Sequence, residues 1–151
     1  MQTIALTPTS GAPVVASRPD PQILLIGPYE PQGGEYTFLA PPLGVWRLAG
    51  ALRGAGMSTH VFDPNCCDGS TESALERTLN ERRWDIIGVS TTGMTLPYDL
   101  ALAHLARKTQ PETFLVAGGM EATFNLNSVL SLGPFDVAVL GEDRTITARN
   151  G

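Results

Sequence analysis

Positive charge is scarce in this sequence. Its 151 residues hold 10 lysines and arginines against 15 aspartates and glutamates, for a net charge of −5 and a pI near 4.9. That balance suits the phosphate backbone of a nucleic acid badly, and no nucleic-acid partner is expected. Cysteine is scarcer still. Cys66 and Cys67 are adjacent and cannot easily bridge each other, which excludes a disulfide framework and points to a reducing, cytoplasmic compartment. No apolar run reaches the roughly 18–20 residues that cross a bilayer, so no membrane partner is expected. The start of the chain lacks the basic stretch and long apolar core of a signal peptide. It is rich in Ser, Thr and Pro, and residues 1–22 are read as a disordered leader.

What is present is enough for one packed domain. Hydrophobic residues make up 42% and charged residues 17%. Residues 23–27 (ILLIG) form a short continuous apolar run, as buried strands of parallel sheets do. After a proline- and glycine-punctuated loop, residues 43–54 carry Val45, Leu48, Ala49 and Leu52 at helical spacing. Residues 58–63 alternate like a strand. Residues 71–83 read as a second helix with Leu75 and Leu79 inside, residues 85–90 as a third strand, and residues 97–108 as a third helix with Tyr98, Ala101, Leu102 and Leu105 inside. Residues 113–119 and 136–141 read as two further strands around a short helix at 125–132, and residues 144–151 as the truncated start of a following helix.

Strands alternating with helices imply a doubly wound α/β domain over residues 23–143. The expected form is Rossmann-like, of flavodoxin type, with a five-stranded parallel sheet in three α/β/α layers. Ligands of such sheets bind at the carboxyl ends of the strands. No GxGxxG follows the first strand and no GxxxxGK[ST] occurs anywhere, which argues against the common nucleotide loops. A receiver domain is disfavoured as well, because position 27 is glycine and position 90 is serine. The third strand instead ends in Ser90, Thr91, Thr92, Gly93, Met94 and Thr95, a hydroxyl-rich stretch suited to a polar ligand. The fourth ends in Gly118 and Gly119, followed by Met120, Glu121, Ala122 and Thr123. Two glycines there remove two Cβ atoms where something flat or bulky could press on the sheet.

Six blocks, in order, resemble the cobalamin (B12)-binding domain at the N-terminus of cobalamin-dependent radical SAM enzymes. They are Pro41-Pro42-Leu43-Gly44 with Leu48-Ala49-Gly50-Ala51-Leu52-Arg53; Gly56; Val61-Phe62-Asp63; Asp85-Ile86-Ile87-Gly88-Val89-Ser90; Ala117-Gly118-Gly119-Met120-Glu121-Ala122-Thr123; and Asp136-Val137-Ala138-Val139-Leu140-Gly141-Glu142-Asp143. The resemblance implies that Ser90 hydrogen-bonds the dimethylbenzimidazole tail and that Gly118 and Gly119 leave room for it. It implies polar contacts from Thr92, Glu121, Thr123 and Glu142, with Thr91, Gly93 and Gly141 in the same strand-end loops. Pro42, Leu43 and Gly44 would shape the loop below the corrin.

Two departures refine this expectation. The methionine synthase-like and mutase branch carries DxHxxG after the first strand, with histidine as lower axial ligand to cobalt. Here that loop has no histidine, so no metal ligand from the protein is expected and the resemblance implies base-off, His-off cobalamin. The radical SAM motif CxxxCxxC, which holds a 4Fe-4S cluster for S-adenosylmethionine, is also missing, so this chain by itself is expected not to be catalytic. Its partner would be a radical SAM barrel in cis or in trans, and the parent a methyltransferase or a related C–C bond-forming or cyclising enzyme. The rival readings are a flavodoxin-like module for a flavin or nucleotide, and a ligand-free interaction domain using Tyr29, Tyr36, Phe38 and Trp46.

Overall fold

The first apolar run becomes β1 (Gln22–Ile26), the centre of one half of the sheet. The computed structural model describes residues 19–32, 41–141 and 145–148. Most of the leader, together with Tyr36, Phe38 and Glu142, therefore lies outside the described residues. In chain order β1 is followed by α1 (Leu43–Gly54), β2 (Ser58–Phe62), α2 (Thr71–Asn80), β3 (Ile86–Ser90), α3 (Leu96–Thr109) and β4 (Phe114–Gly118). Then come α4 (Met120–Phe124), α5 (Leu126–Leu132), β5 (Val137–Leu140) and β6 (Thr145–Ala148). The sheet order is β2-β1-β3-β4-β5-β6, and the first five of these strands are parallel, as the alternation of strands and helices requires.

Four elements differ from expectation. The segment read as the start of a helix is β6, paired antiparallel to β5. The stretch after Gly119, read as loop, is the five-residue helix α4. α3 is rolled by one residue: Asp99, Leu102, Ala103 and Ala106 are buried, whereas Tyr98 is exposed. A carboxylate with enough donors can occupy an interior position, and a reading that counts only apolar residues puts its neighbour there instead. Leu48 of α1 is likewise outside, since Val45 and Ala49, with Leu52 beside them, suffice to seat that helix.

Two apolar clusters divide the faces of the sheet. On one face, α1 packs Val45 and Ala49 on Ile23 and Leu25, reaching Val61 and Ile86. On the other, Leu24, Ile26, Ile87, Val89, Leu115, Ala117 and Ala138 meet the inner sides of α2 to α5. Phe114, Val116, Val137 and Val139 point to the α1 face by alternation. They belong to neither cluster and are half-buried. Among the described residues, the cluster under α1 therefore stops short of β4 and β5.

The amino end of the sheet is fastened by side chains reaching backbone. Arg107 donates to the Pro111, Thr113 and Pro134 carbonyls and pairs with Asp136 at 2.7 Å. Trp84 is buried; its indole donates to Thr78 O, and its amide donates to Gln110 Oε1. These contacts occupy the amino edge and leave the carboxyl edge for function.

Candidate carboxyl-edge cofactor site

The sheet register decides what faces the ligand. Leu25 pairs with Gly88, Gly88 with Val116, and Ser90 with Gly118, so all five point to the α1 face. Leu25 leans over Gly88, where an added Cβ would lie 2.9 Å from Leu25 Cδ2. The next rung is open. A Cβ at Gly118 would meet nothing within 4 Å. Beside it, the half-buried Ser90 hydroxyl has no hydrogen-bond partner among the described residues. Among the described residues, this hydroxyl next to a missing side chain, on a face where the helix layer stops, marks a candidate slot with one polar anchor.

Gly119 closes the slot at its upper end and is held tightly. Its φ is +99°, and an added Cβ would lie 2.6 Å from Thr91 O, 3.0 Å from Thr91 N and 3.2 Å from Ser90 Oγ. The Ser90 hydroxyl thus borders the turn from β4 into α4. Thr91 points inward and is fully buried. Its hydroxyl donates to Gly118 O and accepts from the Ala122 amide, so it fastens the two strand ends to each other.

The other expected contacts sort by what already occupies them. Thr92 Oγ1 is hydrogen-bonded to Thr95 Oγ1, away from the slot. Thr123 Oγ1 donates to Gly119 O and accepts from the Gly141 amide, tying α4 to the end of β5. One oxygen of Glu121 accepts from Asn125 Nδ2 at 2.7 Å; the other faces Gly93, where a Cβ would come within 2.9 Å. Pro42 lies over the end of β1, its Cγ 3.2 Å from where a Gly27 Cβ would be. Leu43 and Gly44 begin α1 and are exposed.

Large apolar side chains crowd the same edge. Leu43 and Trp46 in the first turns of α1, Met94 before α3, and Met120 and Phe124 on α4 are all exposed. Scattered exposed apolar residues need no explanation, but five at the mouths of neighbouring strands form a rim against which a macrocycle could lie.

The histidines and cysteines lie off this slot. His60 is within β2, its Nε2 hydrogen-bonded to Arg82 and its ring edge-on to Trp84. His104 on α3 meets Leu132 O. Cys66 and Cys67 follow β2. The Asp63 charge, and for Cys67 first of all burial, pushes both thiols up, so neither is a ready thiolate. Among the described residues no cluster of three or more metal-ligating side chains occurs, and no helix is long and apolar enough to cross a membrane.

One buried carboxylate has no signature in the sequence. Asp99 in the first turn of α3 is fully buried and accepts three hydrogen bonds, from the Tyr29 amide, the Thr92 amide and the Thr95 hydroxyl. Burial pushes its pKa up to about 6; the three donors oppose the rise and the Glu30 charge adds to it. An acid with a raised folded pKa binds more protons folded than unfolded between about 4 and 6. Stability from this group is therefore present at low pH and falls as pH rises through that window. The fall amounts to about 3 kcal/mol at most, because the folded pKa stands roughly two pH units above that of a free carboxyl. Urea unfolding at stepped pH should show this decline in the wild type and not in Asp99→Asn; identical slopes would refute it.

The parallel sheet, with helices on both faces, defines the class as an α/β domain of flavodoxin-like topology. Residues 32–149 match the B12 binding domain family, and the chain belongs to that family; its cofactor is cobalamin. Over 129 residues the chain is 33% identical to the anaerobic magnesium-protoporphyrin IX monomethyl ester cyclase of Cereibacter sphaeroides, covering 83% of this chain and 21% of that protein. It is 26% identical over 127 residues to the enzyme of the same name from Rubrivivax gelatinosus, covering 83% and 23%. The chain thus spans about a fifth of the length of these curated relatives. In fold it is similar to the radical S-adenosylmethionine methyltransferase TsrM of Kitasatospora setae, solved with cobalamin and a [4Fe-4S] cluster. The TM-score is 0.66 at 17% identity, over 80% of this chain and 23% of that one.

Proposed function

We propose that this chain is the cobalamin-holding domain of a larger cobalamin-dependent radical SAM enzyme. It holds the cofactor base-off, with the nucleotide tail beside the sheet and no histidine on cobalt. The observation that carries this reading is the Ser90 hydroxyl, unengaged beside the open rung at Gly118. It is placed to donate to, or accept from, a ring nitrogen of the tail. Gly118 and Gly119 offer a surface without side chains to a flat base, Pro42 shapes the loop beneath, and the rim gives the corrin an apolar seat. Glu121 has one oxygen left for a corrin amide or ribose hydroxyl. Thr91, Thr92 and Thr123 serve the site by holding its loops. The positions of His60 and His104, engaged elsewhere, support the His-off state.

Bound cobalamin supplies a cobalt centre able to carry a methyl group or pass electrons. The protein's part would be to seat the ring against the apolar rim and to hold the tail beside Ser90 and Gly118. The parent reaction is proposed to be methyl transfer or a related C–C bond-forming or cyclising step, in line with the names of the relatives, and the remaining chemistry would belong to a radical SAM domain acting with this one.

The test is reconstitution of the full chain with hydroxocobalamin, dialysis, and an absorption spectrum. A retained corrinoid that lacks the signature of a coordinated base or histidine is expected. Ser90→Ala should weaken retention about tenfold, the worth of about 1.4 kcal/mol for a hydrogen bond in a sheltered site. A folded protein that emerges colourless would overturn the reading, and unaltered binding by Ser90→Ala would remove Ser90 from the site.

A further inference from the structure

The reversal of strand order at β1 and β3 opens a crevice between the loops that leave those strands. In this protein the crevice is bridged from below. One oxygen of Asp99 accepts the Tyr29 amide, in the loop after β1, at 2.8 Å. The other accepts the Thr92 amide, in the loop after β3, at 3.1 Å, and the Thr95 hydroxyl at 2.7 Å. Thr95 in turn is bonded to Thr92, and its carbonyl accepts the Tyr98 and Asp99 amides, so the α3 start and the β3 loop move as one piece. The Tyr29 ring lies edge-on to Tyr98 at 6.0 Å between centroids, a second tie between the same two segments. The Glu30 amide adds a third anchor, donating to Asn65 Oδ1 after β2.

Asp99 does not reach the slot itself. It faces the opposite side of the sheet, with Leu102, Ala103 and Ala106 on the buried side of α3. Its effect passes through the backbone. Thr92 is two residues from Ser90 and next to Thr91, which fastens Gly118. We infer that Asp99 is a positioning residue that latches the loop after β1 to the loop after β3, and so sets Ser90 and Gly118 for the nucleotide tail. The inference rests on the cobalamin reading for its ligand, while the latch itself stands on the three hydrogen bonds.

An asparagine at this position keeps the shape but presents an NH2 group where one carboxylate oxygen accepted, so at least one of the three donors is left facing a donor. The test compares the full-length wild type with Asp99→Asn and with Thr95→Val, which removes a donor and leaves the carboxylate. Two ligands are used: cobalamin, and cobinamide, which has the corrin but no nucleotide tail. Both variants should weaken cobalamin about tenfold and leave cobinamide within about twofold, and Thr95→Ser should restore the wild-type value. Amide exchange at Tyr29, measured without ligand, should quicken in Asp99→Asn more than exchange at β4. Equal weakening of both ligands, or unchanged cobalamin affinity in folded variants, would overturn the inference. Wild-type protein that binds neither ligand would instead overturn the cobalamin reading, and Tyr29 exchange would still decide whether the latch exists.

Discussion

Gly119→Ala is expected to lower the unfolding free energy by about 3 kcal/mol and the melting temperature by about 10 °C. Two costs combine. A φ of +99° is one that L side chains rarely adopt, and the new methyl would sit 2.6 Å from Thr91 O and 3.0 Å from Thr91 N. The obstacle cannot yield easily. The Thr91 amide donates to Gly118 O at 2.7 Å, and its carbonyl accepts the Glu121 amide, so moving it breaks the junction of β3, β4 and α4. Gly44→Ala is the control, since that glycine is exposed in α1 with nothing within 4 Å of an added Cβ. Alanine there should be neutral or stabilising by up to about 1 kcal/mol. Urea unfolding followed by circular dichroism distinguishes the two. A Gly119→Ala protein as stable as the wild type would mean that the turn relaxes in a way this geometry does not allow.

Gly118→Leu should do the reverse, sparing the fold and abolishing retention of cobalamin. The glycine has ordinary strand backbone, and an added Cβ would have no described atom within 4 Å, so the first atom of a larger side chain is accommodated. Leucine would instead fill the space beside Ser90 where the tail is proposed to lie. Melting within about 3 °C of the wild type, with at least a hundredfold loss of cobalamin affinity, about 2.7 kcal/mol, is the expected result. Undiminished binding by this variant would place the tail elsewhere and leave the slot without an occupant. The neighbouring glycines therefore separate two roles: one keeps the backbone possible, and the other keeps the space empty.

Much of the fold is legible from residue order. The five parallel strands follow from apolar runs separated by helical stretches, and α1 is bounded correctly because two glycines and a proline frame it. The strand-end rule then leads to Ser90 and Gly118, although only the register shows that they are partners across one rung. What escapes the sequence has physical causes. β6 is four residues long and α4 is five, too short for either period to declare itself. Asp99 draws no notice in the sequence because a carboxylate in isolation belongs in solvent; its three donors come from segments that only the folded chain brings together. For the same reason only the folded chain shows that the Thr91, Thr92 and Thr123 hydroxyls, expected at the ligand, are also bonded to backbone or to a neighbouring hydroxyl.

The pairing of Ser90 with Gly118 has a consequence for how the domain assembles. β3, α3 and β4 are consecutive in the chain and carry Ser90 and Gly118, whereas β1 pairs with β2 and, across about 60 residues of chain, with β3. Both halves of the slot lie in that one β3-α3-β4 unit, while the floor beside it, Leu25 leaning over Gly88, comes from β1. Ligand binding is then linked to the pairing of β1 with β3 as well as of β3 with β4. At a free concentration a hundred times the dissociation constant it would add about 2.7 kcal/mol against global unfolding. Cells starved of cobalamin would then hold less of the intact domain, because apo chains would spend more time open to proteases.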